Sequence, residues 1–66
     1  MRVIVNGETR EVPDGASVSE LLGILGLDGA RVAVELNREV LHRESFPTSR
    51  LGDGDRLEIV RLVGGG

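Results

Sequence analysis

The sequence predicts an α+β fold, a mixed sheet of four to five strands packed on one helix, in the order β-β-α-β-β-β. Three observations carry this prediction. Apolar and polar residues alternate in several short runs, the period of strands with one buried face. One segment has the i, i+3, i+4, i+7 spacing of an amphipathic helix, and a capping box precedes it. No internal repeat or linker divides the 66 residues, so a single core must serve every element, and the right-handed crossover rule favours a sheet wrapped around the one helix. The expected organisation is one domain over residues 1–63 followed by a flexible glycine tail, 64–66.

In chain order, Met1, Val3 and Val5 alternate with Arg2, Ile4 and Asn6. Asn6-Gly7 then supplies a tight hairpin signal before a second alternating run that reaches Val12. Pro13-Asp14-Gly15 breaks the sheet. Ser17-Val18-Ser19-Glu20 has the form of a capping box, so the helix begins at Val18. Val18, Leu21, Leu22 and Leu25 share its apolar face, and Gly26-Leu27 has the pattern of a left-handed C-cap with its apolar contact. Gly23, inside the helix, costs about 1 kcal/mol relative to alanine, so tertiary packing must be the main support.

Val32, Val34 and Leu36 form a third strand, which turns through Asn37-Arg38-Glu39 into a fourth around Val40 to His42. Residues 43–50 have no clear period and form an irregular connection from which Phe46 and Leu51 fold back onto the core. After the turn Gly52-Asp53-Gly54-Asp55, a last strand runs from Arg56 to Val63 and leads directly into Gly64-Gly65-Gly66.

Composition excludes several function classes. With no cysteine, the chain has no thiolate nucleophile or soft metal ligand on its own side chains. The net charge is −3, the eight basic residues are scattered arginines, and Phe46 is the only aromatic. Neither a phosphate-tracking cluster nor a stacking platform exists, so nucleic acid is not an expected partner. No apolar run approaches the roughly 20 residues of a membrane span and no signal-peptide pattern opens the chain, so the expectation is a cytoplasmic protein without a membrane partner. There is no lysine, so one copy cannot receive an isopeptide bond from another on a side chain.

No side-chain constellation reads as an active site. His42 is the only histidine, without partners for a metal site or a nucleophile–base pair, and reads as an exposed strand-end residue. Asp53 and Asp55 flank a turn glycine but lack the other ligands of a calcium loop. Ser17 and Ser19 need no role beyond capping. The α-carboxylate of Gly66 is the remaining candidate. Terminal glycines are compatible with a frayed end, but glycine also passes through channels too narrow for other residues, and three extended residues reach about 10 Å. A carboxylate becomes an acyl electrophile once a partner converts it to an adenylate, and a sulfur nucleophile can then replace AMP.

The VNGE of Val5 to Glu8, the VPDGASVSELL stretch from Val12 to Leu22, the VAVELN strand and the ending DGDRLEIVRLVGGG from Asp53 together resemble the ThiS sulfur carrier family of thiamine biosynthesis. The motifs are collinear and cover essentially the whole chain. The resemblance implies a β-grasp, ubiquitin-like fold in a carrier that is not itself an enzyme and binds no cofactor. It implies that an E1-like (ThiF-like) adenylyltransferase activates Gly66 with ATP. A sulfur donor enzyme then supplies the sulfur of a thiocarboxylate, which a thiazole synthase (ThiG-like) takes up. Gly65 maps onto the family's penultimate glycine, and Gly64 extends the tail. Leu62 departs from the smaller residue expected beside the tail.

The small subunit of molybdopterin synthase shares the fold and the thiocarboxylate logic but is typically longer and richer in aromatics. A ubiquitin-like protein modifier, or an interaction module with an inert tail, are the alternatives of a different class. If the first and last strands lie side by side, as the resemblance implies, alternation places Ile4, Val60 and Leu62 on the outer face, where they would form an exposed apolar patch for partner binding beside the tail.

Overall fold

The computed structural model describes residues 1–63; Gly64, Gly65 and Gly66, the expected tail and its modified residue, lie outside the described residues. Five strands form one mixed sheet: β1 (Arg2–Val5), β2 (Glu8–Glu11), β3 (Val32–Leu36), β4 (Glu39–Leu41) and β5 (Arg56–Arg61). The single α-helix, α1 (Val18–Ile24), lies between β2 and β3 in sequence, and two short 3-10 turns occupy Gly29–Arg31 and Arg43–Ser45. The strand order across the sheet is β2-β1-β5-β3-β4. The last strand of the chain is therefore the central one. It runs parallel to β1, with Ile4 opposite Arg56 and Val5 opposite Leu57, and antiparallel to β3, from Leu36↔Leu57 to Val32↔Arg61.

Local sequence accounts for most of these elements. The Ser17 hydroxyl accepts the Glu20 N–H at 3.0 Å while the Glu20 carboxylate accepts the Ser17 N–H at 3.4 Å, completing the capping box. At the other end Gly26 takes φ +71°, Leu27 N–H donates to the Leu22 carbonyl at 2.8 Å and Gly26 N–H to the Gly23 carbonyl at 3.1 Å. This is the paired bonding of a Schellman motif, which satisfies carbonyls that the helix end would leave open. Both hairpins turn on an asparagine in the left-handed region, Asn6 at φ +50° before Gly7 and Asn37 at φ +50° before Arg38 at φ +70°. Two successive positive φ values give the primed turn whose twist matches the flanking strands.

The core lies between one face of the sheet and α1. Val3, Val5, Val32, Val34, Leu57 and Ile59 pack with Val18, Leu21 and Leu22 of the helix. Phe46 and Leu51 from the irregular connection join the same cluster. That connection also staples the helix start, since Val18 N–H donates to the Ser49 carbonyl at 3.0 Å and Leu51 N–H to the Ala16 carbonyl at 2.8 Å. Each fully buried Val or Leu contributes about 1.5–3 kcal/mol, which is how a seven-residue helix too short to persist alone is held.

The strand ends differ slightly from expectation. β2 stops at Glu11, leaving Val12 to enter the core beyond the strand, and β5 stops at Arg61 and not at Val63. β2 is an edge strand of exposed, mostly charged residues, a composition that discourages pairing with another chain. On it, Glu11 accepts from the Arg2 guanidinium at 2.8 Å, and this hydrogen bond is the main reason the Arg2 pKa is raised.

Candidate functional site

The candidate site is the end of β5, from which the chain leads toward Gly66. On the β3 side the pairing continues one residue past the strand, the Leu62 N–H donating to the Arg31 carbonyl at 2.8 Å. Val63 follows at 99% exposure, so the body of the fold releases the chain between these two residues. Gly64, Gly65 and Gly66 follow Val63 in sequence.

Alternation along β5 sends Leu57 and Ile59 into the core and Arg56, Glu58 and Val60 to the outer face, as expected. Val60 is 61% exposed. Its cross-strand neighbour is Ala33, and Val40 on β4, opposite Glu35, is 71% exposed on the same face. Ala33, Val40 and Val60, together with Glu35 and Glu58, line a hollow of about 90 Å³ on the outer surface of the sheet. Glu35 and Glu58 stand directly opposite each other, an arrangement of like charges that costs stability in an antiparallel pair.

The three residues expected to share an outer patch are not brought together. Ile4 is on the outer face but half-buried and opposite Arg56, four positions before Val60 on β5. At about 3.3 Å per residue this separates the two by roughly 13 Å along the strand. Leu62, 50% exposed, lies past the end of β5 and lines a different cleft, of about 330 Å³, with Leu27 and Val32. The apolar neighbours of Val60 are Ala33 and Val40, which the sequence reading passed over. The outward position of Ala33 was present in the VAVEL alternation, and that of Val40 follows only from the hairpin register at Asn37-Arg38.

A third cleft, of about 420 Å³, opens on the helix side, where Asn6, Glu8 and Arg10 of the first hairpin face Leu25, Leu27 and Arg61. Among the described residues, no group of three or more His, Asp or Glu side chains is placed to hold a metal ion. His42 is exposed at the start of a 3-10 turn, Asp55 bonds the Gly52 N–H at 2.7 Å, and Asp53 bonds the Arg2 N–H at 2.8 Å. The two aspartates have turn duties, the His42 side chain makes no capping hydrogen bond, and nothing in their geometry assembles a nucleophile with a base. Among the described residues, no helix is long and apolar enough to cross a membrane.

One helix packed on a five-stranded sheet, with a central last strand running out toward the glycines, defines a β-grasp protein. A model of the ThiS family matches residues 3–66, and the chain belongs to that family. The sulfur carrier protein ThiS of Thermus thermophilus is 39% identical over 64 residues, which are 97% of this chain and 98% of that protein. The crystal structure of the thiamine biosynthesis protein ThiS from Geobacter metallireducens superposes with a TM-score of 0.85 at 40% identity, covering all of both chains. A thiazole synthase from Paramagnetospirillum magneticum is 44% identical over 66 residues, all of this chain but only 20% of that protein. The chain thus spans one fifth of the length of that longer relative.

Proposed function

We propose that this chain is a sulfur carrier for thiazole formation in thiamine biosynthesis, acting as a co-substrate of partner enzymes and not as an enzyme. The observation that supports this most directly is the near full-length family match, which runs through Gly66. The fold is consistent with it, because β5 ends at Arg61 and the fully exposed Val63 precedes Gly64-Gly65-Gly66 in sequence.

In this reading the Gly66 carboxylate attacks the α-phosphorus of ATP held by an E1-like adenylyltransferase, and pyrophosphate leaves. Sulfur delivered by a donor enzyme at the sulfide level (HS−) then attacks the carboxyl carbon and displaces AMP, so the terminus becomes a thiocarboxylate. ATP belongs to the partner, and the carrier itself binds no cofactor. Thiazole synthase is the proposed acceptor, favoured over a molybdopterin route because a protein of that name contains a segment matched by this entire chain. Since activation consumes ATP, we place the chain in the cytoplasm.

The rigid body would provide the binding energy through the outer face beside the end of β5, with Val60, Ala33 and Val40 as the apolar contact and Leu62 on the neighbouring rim. Ile4 contributes to that surface only at a distance. Intact mass spectrometry of the protein purified from its own cells tests the function. A mass gain equal to sulfur replacing oxygen at Gly66 is the expected result. Covalent attachment of Gly66 to lysines of other proteins would instead make the chain a protein modifier and overturn the carrier reading.

A further inference from the structure

β5 is bonded on each side only as far as its neighbours reach. On the β3 side the even-numbered residues make the ladder bonds, ending with Leu62 N–H to the Arg31 carbonyl. The odd-numbered residues therefore turn their N–H and C=O groups toward β1. On that side strand pairing runs out at Val5↔Leu57, because the chain turns away at Asn6-Gly7. The Asn6 N–H still donates to the Leu57 carbonyl at 2.9 Å. The next odd residue, Ile59, has no β1 backbone beside it.

The Asn6 side chain fills that place. Its Oδ1 accepts the Ile59 N–H at 2.8 Å, and its Nδ2 donates to the Ile59 carbonyl at 3.1 Å. One planar carboxamide thus stands where the peptide groups of a longer β1 would have been. Asparagine suits the position on two counts. It carries a donor and an acceptor on one short side chain, and it tolerates the φ of +50° that the turn requires. Past Ile59, nothing in β1 or β2 is paired with Arg61.

We propose that Asn6 is a positioning residue for the C-terminal segment. Its carboxamide fixes how far along β5 the chain stays strand on the β1 side, and so the direction in which residues 61–63 leave the sheet. The inference rests on the reading that Gly66 is presented to partner enzymes. Without the clamp, the Ile59 groups turn to water in the adjoining cleft and the end of β5 is held by β3 alone. The segment then samples more directions, and a partner that accepts only one of them meets a smaller competent fraction. Such a loss raises the apparent KM of the carrier in proportion and leaves the chemical step untouched.

The decisive experiment pairs two variants. Asn6→Gly keeps the turn, because glycine adopts positive φ freely, and removes only the carboxamide. Asn37→Gly does the same at the second hairpin, where the Asn37 Oδ1 accepts the Arg56 N–H at 3.0 Å at the start of β5, remote from the tail. Amide hydrogen exchange at Ile59 and steady-state adenylation by an E1-like adenylyltransferase that accepts the wild-type chain are measured on both. In Asn6→Gly, Ile59 should exchange about tenfold faster while Val34 stays protected, and the carrier KM should rise roughly three- to tenfold with kcat unchanged. Asn37→Gly should lose similar thermal stability with its KM unchanged. Asn6→Asp, which keeps the acceptor for the Ile59 N–H and loses the donor, should fall between wild type and glycine.

Wild-type protection of Ile59 in Asn6→Gly, an unchanged KM, or equal KM increases in both glycine variants would each overturn the proposal. If an unmodified wild-type terminus defeats the carrier reading instead, Ile59 exchange still decides whether the clamp exists.

Discussion

The two faces of the sheet are made by the same strands and meet opposite environments. Toward α1 they present Val3, Val5, Val32, Val34, Leu57 and Ile59, all buried. Away from it they present Ala33, Glu35, Val40, Glu58 and Val60, all exposed, and the half-buried Ile4. With one helix for one sheet, only the first face can bury apolar surface against the chain itself. Stability is therefore concentrated there, and the second face is free to be read by a partner. The Glu35–Glu58 pair fits this division, since on the exposed face water and salt screen the repulsion between the two carboxylates.

If the division is correct, substitutions on the two faces should affect different measurements. The largest effect is expected from Leu57→Ala, which empties a fully buried site beside the helix. It should cost about 2–5 kcal/mol, a large part of the total for a domain this small, as read by urea denaturation. Val60→Asp, on the outer face, should lower stability by about 1 kcal/mol or less and reduce kcat/KM for adenylation about tenfold. Full adenylation in that variant would remove Val60 from the docking surface.

Gly23→Ala asks whether stability can be gained far from both faces. The added Cβ meets nothing within 4 Å, so the helix should gain about 1 kcal/mol, seen as a raised denaturation midpoint without loss of adenylation. The smallest effect is expected from Glu58→Gln, which removes the repulsion with Glu35 and should stabilise the sheet by about 0.3 kcal/mol. A loss of stability there would show that the carboxylates are not in opposition in solution.

Much of the fold was legible because its signals are local. Ser17 and Glu20 mark the helix start, Gly26 and Leu27 its end, and the alternation of Val32, Val34 and Leu36 or of Leu57 and Ile59 names the buried face of each strand. The outward positions of Ile4 and Val60 were read correctly by the same rule. Their separation was not legible, because alternation says which face a residue takes and nothing about how far one strand slides along another. The β1–β5 register sets Ile4 against Arg56, and the patch moves to Ala33 and Val40 as a result. Adjacency of β1 and β5 itself came from the family resemblance and not from any property of the two segments.

Asn6 illustrates the limit in a single residue. Its preference for positive φ before Gly7 is written in the dipeptide, so the turn follows from residues in contact along the chain. Its bond to Ile59 joins residues 53 apart in sequence and exists only because β5 extends past the point where β1 turns away. Amino-acid order settled the helix, its caps, the turns and the facing of each strand, since hydrogen bonds and sterics within a few residues are enough for these. Packing against the single helix settled the strand order, the register and therefore the surface around the end of β5, since these depend on where distant segments come to rest together.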